Sequence, residues 1–387
     1  MEMRYRAWMV VALLGIAAPV CRAQWIADSL LDRRVQEGID QIYDFQFDAA
    51  RKTFDAVVAM RPDHPVGYFF RAMIVWERIL SDFDDESHDD EFYDMLDVVI
   101  RMCDDRLEEN ENDVTALFFK GGAVGFRGRL RANRGKWVGA ANDGLVALPL
   151  VRKAHELQPN NDDVLLGIGI YNYYAAVIPD RYPIVKPLMV FFPGGDRKKG
   201  LEQLREASLH AKYARVEASY FLMQNLFMFE KDYPKALEIA RTLHARYPGN
   251  PVFYRYLGRC DVSTGLLSDA QVVFEEILRR AEQKELGYDR YDEREAHYYL
   301  GRNEFLGGRF DRALKHFYVC DELSRALDKD GPSGFMSLTN LMIGMIDDAR
   351  GQRSLALTQY RKVLDMKEYE HSHDDANRYL KSPYKRP

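Results

Sequence analysis

The chain has 387 residues, with 54 basic against 60 acidic side chains and a formal net charge of −6. That near balance argues against a general nucleic-acid binder, which would carry a basic surplus. Past the N-terminus no stretch is long and apolar enough for a membrane-spanning helix, and the plentiful aromatics, 23 Tyr and 21 Phe, must fill packed space or line a binding surface.

The first 23 residues stand apart. Arg4 and Arg6 make a positive start, residues 7–20 form a short uncharged apolar run, and Cys21-Arg22-Ala23 supplies small residues where a cleavage site needs them. This is the pattern of a secretory signal peptide with Gln24 as the mature start. It predicts a periplasmic or secreted protein, free or associated with an outer membrane. The alternative is a lipidated Cys21, for which Ala18-Pro19-Val20 is a poor lipobox. The remaining cysteines, Cys103, Cys260 and Cys320, are odd in number and widely spaced. They read as buried thiols rather than a disulfide framework.

Apolar and small residues then recur at steps of three and four, the mark of helix faces. Phe47, Ala50, Phe54 and Val57 form one such face, stopped by Pro62; residues 66–109 hold two weaker helices; Ala147, Val151 and Ala154 form another, stopped by Pro159. The acidic run at 82–91 lacks the Asp-x-Asp-x-Asp-Gly spacing of a calcium loop and reads as a solvated linker. Arg127, Arg129, Arg131, Arg134 and Lys136 are the strongest basic cluster. They read as a solvated turn between helices, with contact to phosphate or an acidic partner as the alternative.

Residues 178–200 break the pattern. Pro179, Pro183, Pro187 and Pro193 rule out a continuous helix over the segment. Yet Ile184, Val185, Leu188, Met189, Val190, Phe191 and Phe192 are too apolar for an exposed loop. The segment reads as a lid over a helix face, with a docking element as the alternative. Gly194-Gly195-Asp196 predicts a turn and an N-cap, with a helix from Arg197. Gly200, Leu204 and Ala207, then Tyr233, Ala236, Ala240 and Leu243, stopped by Pro248, continue the helical series.

The C-terminal half carries an in-register repeat. Gly258, Gly301 and Gly344 lie 43 residues apart, as do Gly265, Gly308 and Gly351; Ala270, Ala313 and Ala356; Phe274, Phe317 and Tyr360; and Ile277, Cys320 and Val363. A period in this range means stacked supersecondary units. The small residues belong where helices approach closely, the aromatics where the space between pairs must be filled. The second glycine of each copy ends the first helix.

These columns resemble the tetratricopeptide repeat, through Leu257-Gly258, Gly265, Leu267, Ala270 and Phe274 in one copy and Leu300-Gly301, Gly308, Phe310, Ala313 and Phe317 in the next. The third copy, Ile343-Gly344, Gly351, Ala356 and Tyr360, departs at Arg353, where an apolar residue is usual. The resemblance implies an all-α, right-handed α-solenoid of stacked antiparallel helix pairs, here with an irregular proline-rich insert. The family repeat is about 34 residues, so longer second helices and turns are expected. Degenerate repeats are expected over 24–214, regular ones over 215–366 and a capping segment over 367–387.

By the same resemblance, ligand contacts come from set positions on the first helices. That register selects Asn225, Arg255, Arg259, Tyr298, Arg302 and Phe305, with Phe221, Met228, Val252, Val262 and Glu295 beside them. It is similar to a carboxylate clamp, in which Asn and Arg grip a peptide's terminal carboxylate through paired hydrogen bonds. The alternative is that the arginines pair with Asp261 or Glu295. The implied function is a scaffold or adaptor for a protein or peptide. The other reading is a small-ligand, lipid or glycan-binding module using the aromatic, proline-rich region. No catalytic or cofactor signature occurs, and His371, His373, Asp374 and Asp375 read as a helix start rather than a metal site.

Overall fold

The structure, a computed structural model, describes Ile26 and residues 28–181, 193–329 and 331–386. The signal-like N-terminus and residues 182–192 of the insert lie outside the described residues. Among those described there are seventeen α-helices and no strand. They are α1 (Ser29–Tyr43), α2 (Phe47–Met60), α3 (Pro65–Ser81), α4 (Asp89–Glu109), α5 (Val114–Asn133), α6 (Trp137–Leu157), α7 (Val164–Arg181), α8 (Arg197–His210) and α9 (Arg215–Asn225). There follow α10 (Tyr233–Arg246), α11 (Pro251–Ser263), α12 (Leu267–Glu282), α13 (Arg290–Leu306), α14 (Phe310–Leu327), α15 (Gly334–Ala349), α16 (Arg353–Leu364) and α17 (Ser372–Lys381). Consecutive helices pack as antiparallel pairs and the pairs stack, giving an all-α solenoid.

Local chemistry fixes the boundaries. Asp28, Asp113, Asp196, Asn250 and Ser333 each accept a backbone N–H at a helix start, satisfying donors that have no partner within the helix. Asp196 thus caps α8 at the expected place. Asp289 and Asp292 form a reciprocal capping box on α13. Gly265, Gly308 and Gly351 sit at φ of +80°, +74° and +75°, the left-handed turn that glycine adopts without a steric penalty.

The repeat columns are packing partners. A Cβ on Gly258, Gly301 or Gly344 would lie 2.9, 2.6 or 2.7 Å from the ring of Phe274, Phe317 or Tyr360 respectively. Each column glycine therefore makes room for the column aromatic of its own helix pair. The added length of each copy lies in second helices of 16 and 18 residues (α12 and α14), against 14 in α10, and in the turns that follow them.

The array curls until distant repeats touch. Tyr43 Oη donates to Glu217 (2.9 Å), Tyr247 Oη to Asp40 (2.7 Å) and Asn250 Nδ2 to the Tyr43 carbonyl (2.9 Å). Farther on, Tyr291 Oη donates to Asp84. These contacts join residues 174 to 207 positions apart, so the start of the array packs against its middle.

Two local expectations are corrected. The basic cluster is not a solvated turn: it occupies the last turns of α5 and the turn into α6, and its arginines are individually paired. Arg127 bonds Asp97 and Asp143, Arg131 bonds Asp143 (2.7 Å), and Arg134 bonds Asp89 (2.8 Å). Nor is the whole acidic run a linker, because Asp89 opens α4 and is buried against Arg134. Both misreadings have one cause: the opposite charges come from other helices, and a charge run by itself does not record what the facing helix carries. At the insert, α7 continues through Pro179 to Arg181.

Candidate functional site

The ligand register lands on the first helices α9, α11 and α13, and its members have different surroundings. Asn225 is fully buried at the end of α9, where the helix widens into a π-turn over Leu226–Glu230. Such turns mark irregular, often functional points of a helix. Tyr174 Oη donates to Asn225 Oδ1 (2.8 Å), while Asn225 Nδ2 is buried without a partner among the described residues. Nothing in Leu226-Phe227-Met228-Phe229-Glu230 distinguishes it from ordinary helix, so the π-turn was not legible in sequence.

Arg255 and Arg259, one turn apart on α11, reach across to α13. Arg255 bonds Asp292, and Arg259 forms a two-pronged pair with Glu295 at 2.5 Å. Asp292 and Glu295 are buried. Burial weighs against ionised Glu295, but the Arg259 guanidinium outweighs it and holds the carboxyl below its ordinary range. These are inter-repeat ion pairs of the kind the sequence left as the alternative, with Glu295 as the acceptor.

Tyr298 is buried edge-on against Tyr299 and Phe335, with centroids 5.1 and 5.3 Å away. Phe305 packs on Phe310 and on Tyr384 near the C-terminus. Arg302 differs from its equivalent Arg259: among the described residues it has no ion pair or hydrogen bond. It lines a small inter-repeat pocket with Val262, Phe274, Tyr299 and Asn303. Burial pushes the Tyr298 and Tyr299 hydroxyls up, so they stay protonated donors beside it.

The sequence did not reveal a second cluster, where the start of the array packs against its middle. The Arg129 guanidinium lies 4.8 Å from the Trp76 ring centre and 4.7 Å from that of Phe221. It bonds Glu217 (2.9 Å), which also accepts Tyr43 Oη. Glu77 is buried alongside at 5% exposure. Burial, then the Glu217 charge, pushes Glu77 up to about 8 against the pull of Arg129. At neutral pH Glu77 therefore keeps its proton, and Arg129 is matched to one carboxylate.

Folded Glu77 binds its proton up to about pH 8, whereas unfolded it releases it near its ordinary value of 4.5. Stability from this group is thus complete below about pH 4.5 and is lost as pH rises through 8. Glu77→Gln is expected to match the wild type near pH 4 and to exceed it increasingly up to pH 8, with the difference then level. Urea unfolding at pH 4, 6, 8 and 9 reads this; a constant difference would refute it.

Cys103, Cys260 and Cys320 are buried and unpaired as thiols, and burial pushes them up to about 12, 12 and 11. Among the described residues no group of three or more His, Cys, Asp or Glu gathers as metal ligands. His371 precedes α17, with Asp374 and Asp375 in its first turn. A cleft of about 450 Å³ lies between α6 and Pro193. Its described lining mixes Leu145, Leu148 and Pro149 with Arg152, Lys153 and Glu156.

No protein family and no curated protein matches this sequence. Among solved structures it is similar to human IFIT1, a dimer with m7Gppp-AAAA, at 13% identity over 92% of this chain and 87% of that one, with a TM-score of 0.43. A Rap protein complexed with Competence and Sporulation Factor is 13% identical over 92% and 97%, at 0.43. Yeast Tom70 is 12% identical over 88% and 86%, at 0.36. Likeness at this level carries no argument about what the chain binds. Its own helix pairs, glycine turns and 43-residue register make the chain an all-α solenoid of stacked helix-pair repeats.

Proposed function

We propose that this chain is an exported binding scaffold, not an enzyme, that holds a protein or peptide on the inner face of its first helices. One observation carries the reading: Arg302 occupies the ligand column beside Tyr298 and Tyr299 and, among the described residues, has no carboxylate of its own. Its neighbour in that column, Arg259, is already held by Glu295. A guanidinium beside an aromatic wall is suited to a carboxylate, which it receives through parallel N–H donors. The partner is thus a segment with an acidic side chain or a free C-terminal carboxylate. Asn225, Arg255 and Arg259 support the same face, the arginines by fixing how successive pairs stack. Export is proposed from the N-terminal signal pattern alone.

Fluorescence polarisation with a panel of acidic peptides, each with a free or an amidated C-terminus, tests the site. Binding is expected to weaken at least tenfold on Arg302→Glu, with helix content and unfolding midpoint unchanged. A peptide that binds both proteins equally would remove Arg302 from the interface.

A further inference from the structure

Past α17 the chain does not leave the surface. Residues 382–386 run back across the tips of the last helix pairs, held at three points. The Tyr384 N–H donates to Asp348 Oδ2 at 2.9 Å. The Tyr384 ring packs on Phe305 and edge-on against Tyr379, with centroids 5.9 and 5.4 Å away. The Arg386 guanidinium donates to the Leu306 carbonyl at 3.1 Å, at the C-terminal end of α13, where a cation is favoured by the helix dipole.

The receiving surface is built independently of the tail. Asp348 is inaccessible and already fixed by Arg353 (2.9 Å) and by Tyr360 Oη (2.9 Å). Arg353 also donates to the carbonyls of Tyr379 and Leu380. This gives the one departure from the apolar repeat column a role: it holds the site's carboxylate and its aromatic wall in place. Met342, Met345 and Phe310 line the same cluster as Tyr384, and methionine adapts its shape to different occupants. Phe305 and Asp348 are equivalent positions of successive copies, 43 residues apart. The tail therefore bridges equivalent positions of two successive copies.

The tail itself is lightly held. Pro383, Lys385 and Arg386 are exposed and only Tyr384 is partly covered. Segments with so few buried contacts open at low free-energy cost.

We propose that this surface is a docking site for an extended peptide with the chemistry of the tail, a tyrosine between a proline and a basic residue, presented by a partner protein and admitted when the tail lifts off. This goes beyond the carboxylate reading of Arg302 and does not depend on it. Recognition uses one backbone N–H on Asp348, one ring on Phe305 and Tyr379, and one cation on the α13 end.

The probe is a fluorescein-labelled peptide of residues 380–386, amidated so that a free carboxylate at Arg302 plays no part. In the full chain, Tyr384→Ala removes the tail's ring anchor and, with Arg386→Ala, its cation, and the double variant is expected to bind the probe at least tenfold more tightly than the wild type. The same peptide with its tyrosine replaced by alanine should not bind. In the wild type, excess unlabelled peptide should raise hydrogen exchange at residues 382–386. This arm stands even where the variant folds poorly. A variant that unfolds more readily but gains no peptide binding, with unchanged exchange in the wild type, would overturn the proposal and leave the tail a structural cap. A wild-type dimer that dissociates on Tyr384→Ala would overturn it in favour of a tail swapped from a second copy.

Discussion

Arg129→Ala is expected to destabilise the fold by about 3–5 kcal/mol, because it strips the cation from a buried carboxylate without removing the carboxylate. Glu217 would be left with Tyr43 as its hydrogen-bond donor, at 5% exposure and with Glu77 beside it. The two aromatic contacts of the guanidinium, with Trp76 and Phe221, add about 0.5–2 kcal/mol each at this degree of burial. The effect should be non-additive in an informative way. Glu217→Gln in the Arg129→Ala background removes the orphaned charge and should recover part of the loss, whereas Glu217→Gln alone should destabilise. A double-mutant cycle by urea unfolding measures this. A loss below about 1 kcal/mol for Arg129→Ala would show that the pair is too well solvated to matter. The site also joins α5 to α9 across 88 residues, so its loss should loosen the contacts of Tyr43 and Asp40.

Asp163→Ala is the second large effect, expected near 4 kcal/mol. Asp163 is 2% exposed, and its Oδ1 accepts the backbone N–H groups of Lys212, Tyr213 and Ala214 at 2.9, 2.7 and 2.9 Å. These residues lead directly into α9. Hydrogen bonds to a charged group contribute about 1.5–3 kcal/mol, and a buried donor left alone costs about as much. Because all three donors converge on one oxygen, Asp163→Asn can keep that acceptor while losing the charge and exchanging the second oxygen for an NH2 group, and should cost roughly half as much. Equal losses for Ala and Asn would show that charge, not geometry, dominates. Unfolding midpoints together with hydrogen exchange over 212–220 separate the two.

Much of the fold was legible because helix packing is local and periodic. Gly301 and Phe317 are 16 residues apart in one helix pair, and their close approach is written into every copy. Caps such as Asp196 and turns such as Gly308 were equally readable, since each satisfies a need within a few residues. The column that the resemblance expects to meet a ligand was legible as a register, while its surroundings were not. Arg259 and Arg302 are equivalent in sequence, yet one meets Glu295 and the other, among the described residues, meets no carboxylate. What decides is the residue on the next helix, not the residue itself. The basic run on α5 failed for the same reason: Asp89 and Asp97 come from α4, Asp143 from α6 and Glu217 from α9.

The sequence by itself determined the helix-pair unit, its period and the turns between units, because those rest on contacts within some forty residues. Only the tertiary structure decided which charges are already matched, where distant helices meet through Tyr43, Arg129 and Glu217, and that Tyr384 lies over Phe305 and Asp348. Those depend on the curvature accumulated over many stacked pairs, a sum of small packing rotations that no single repeat records.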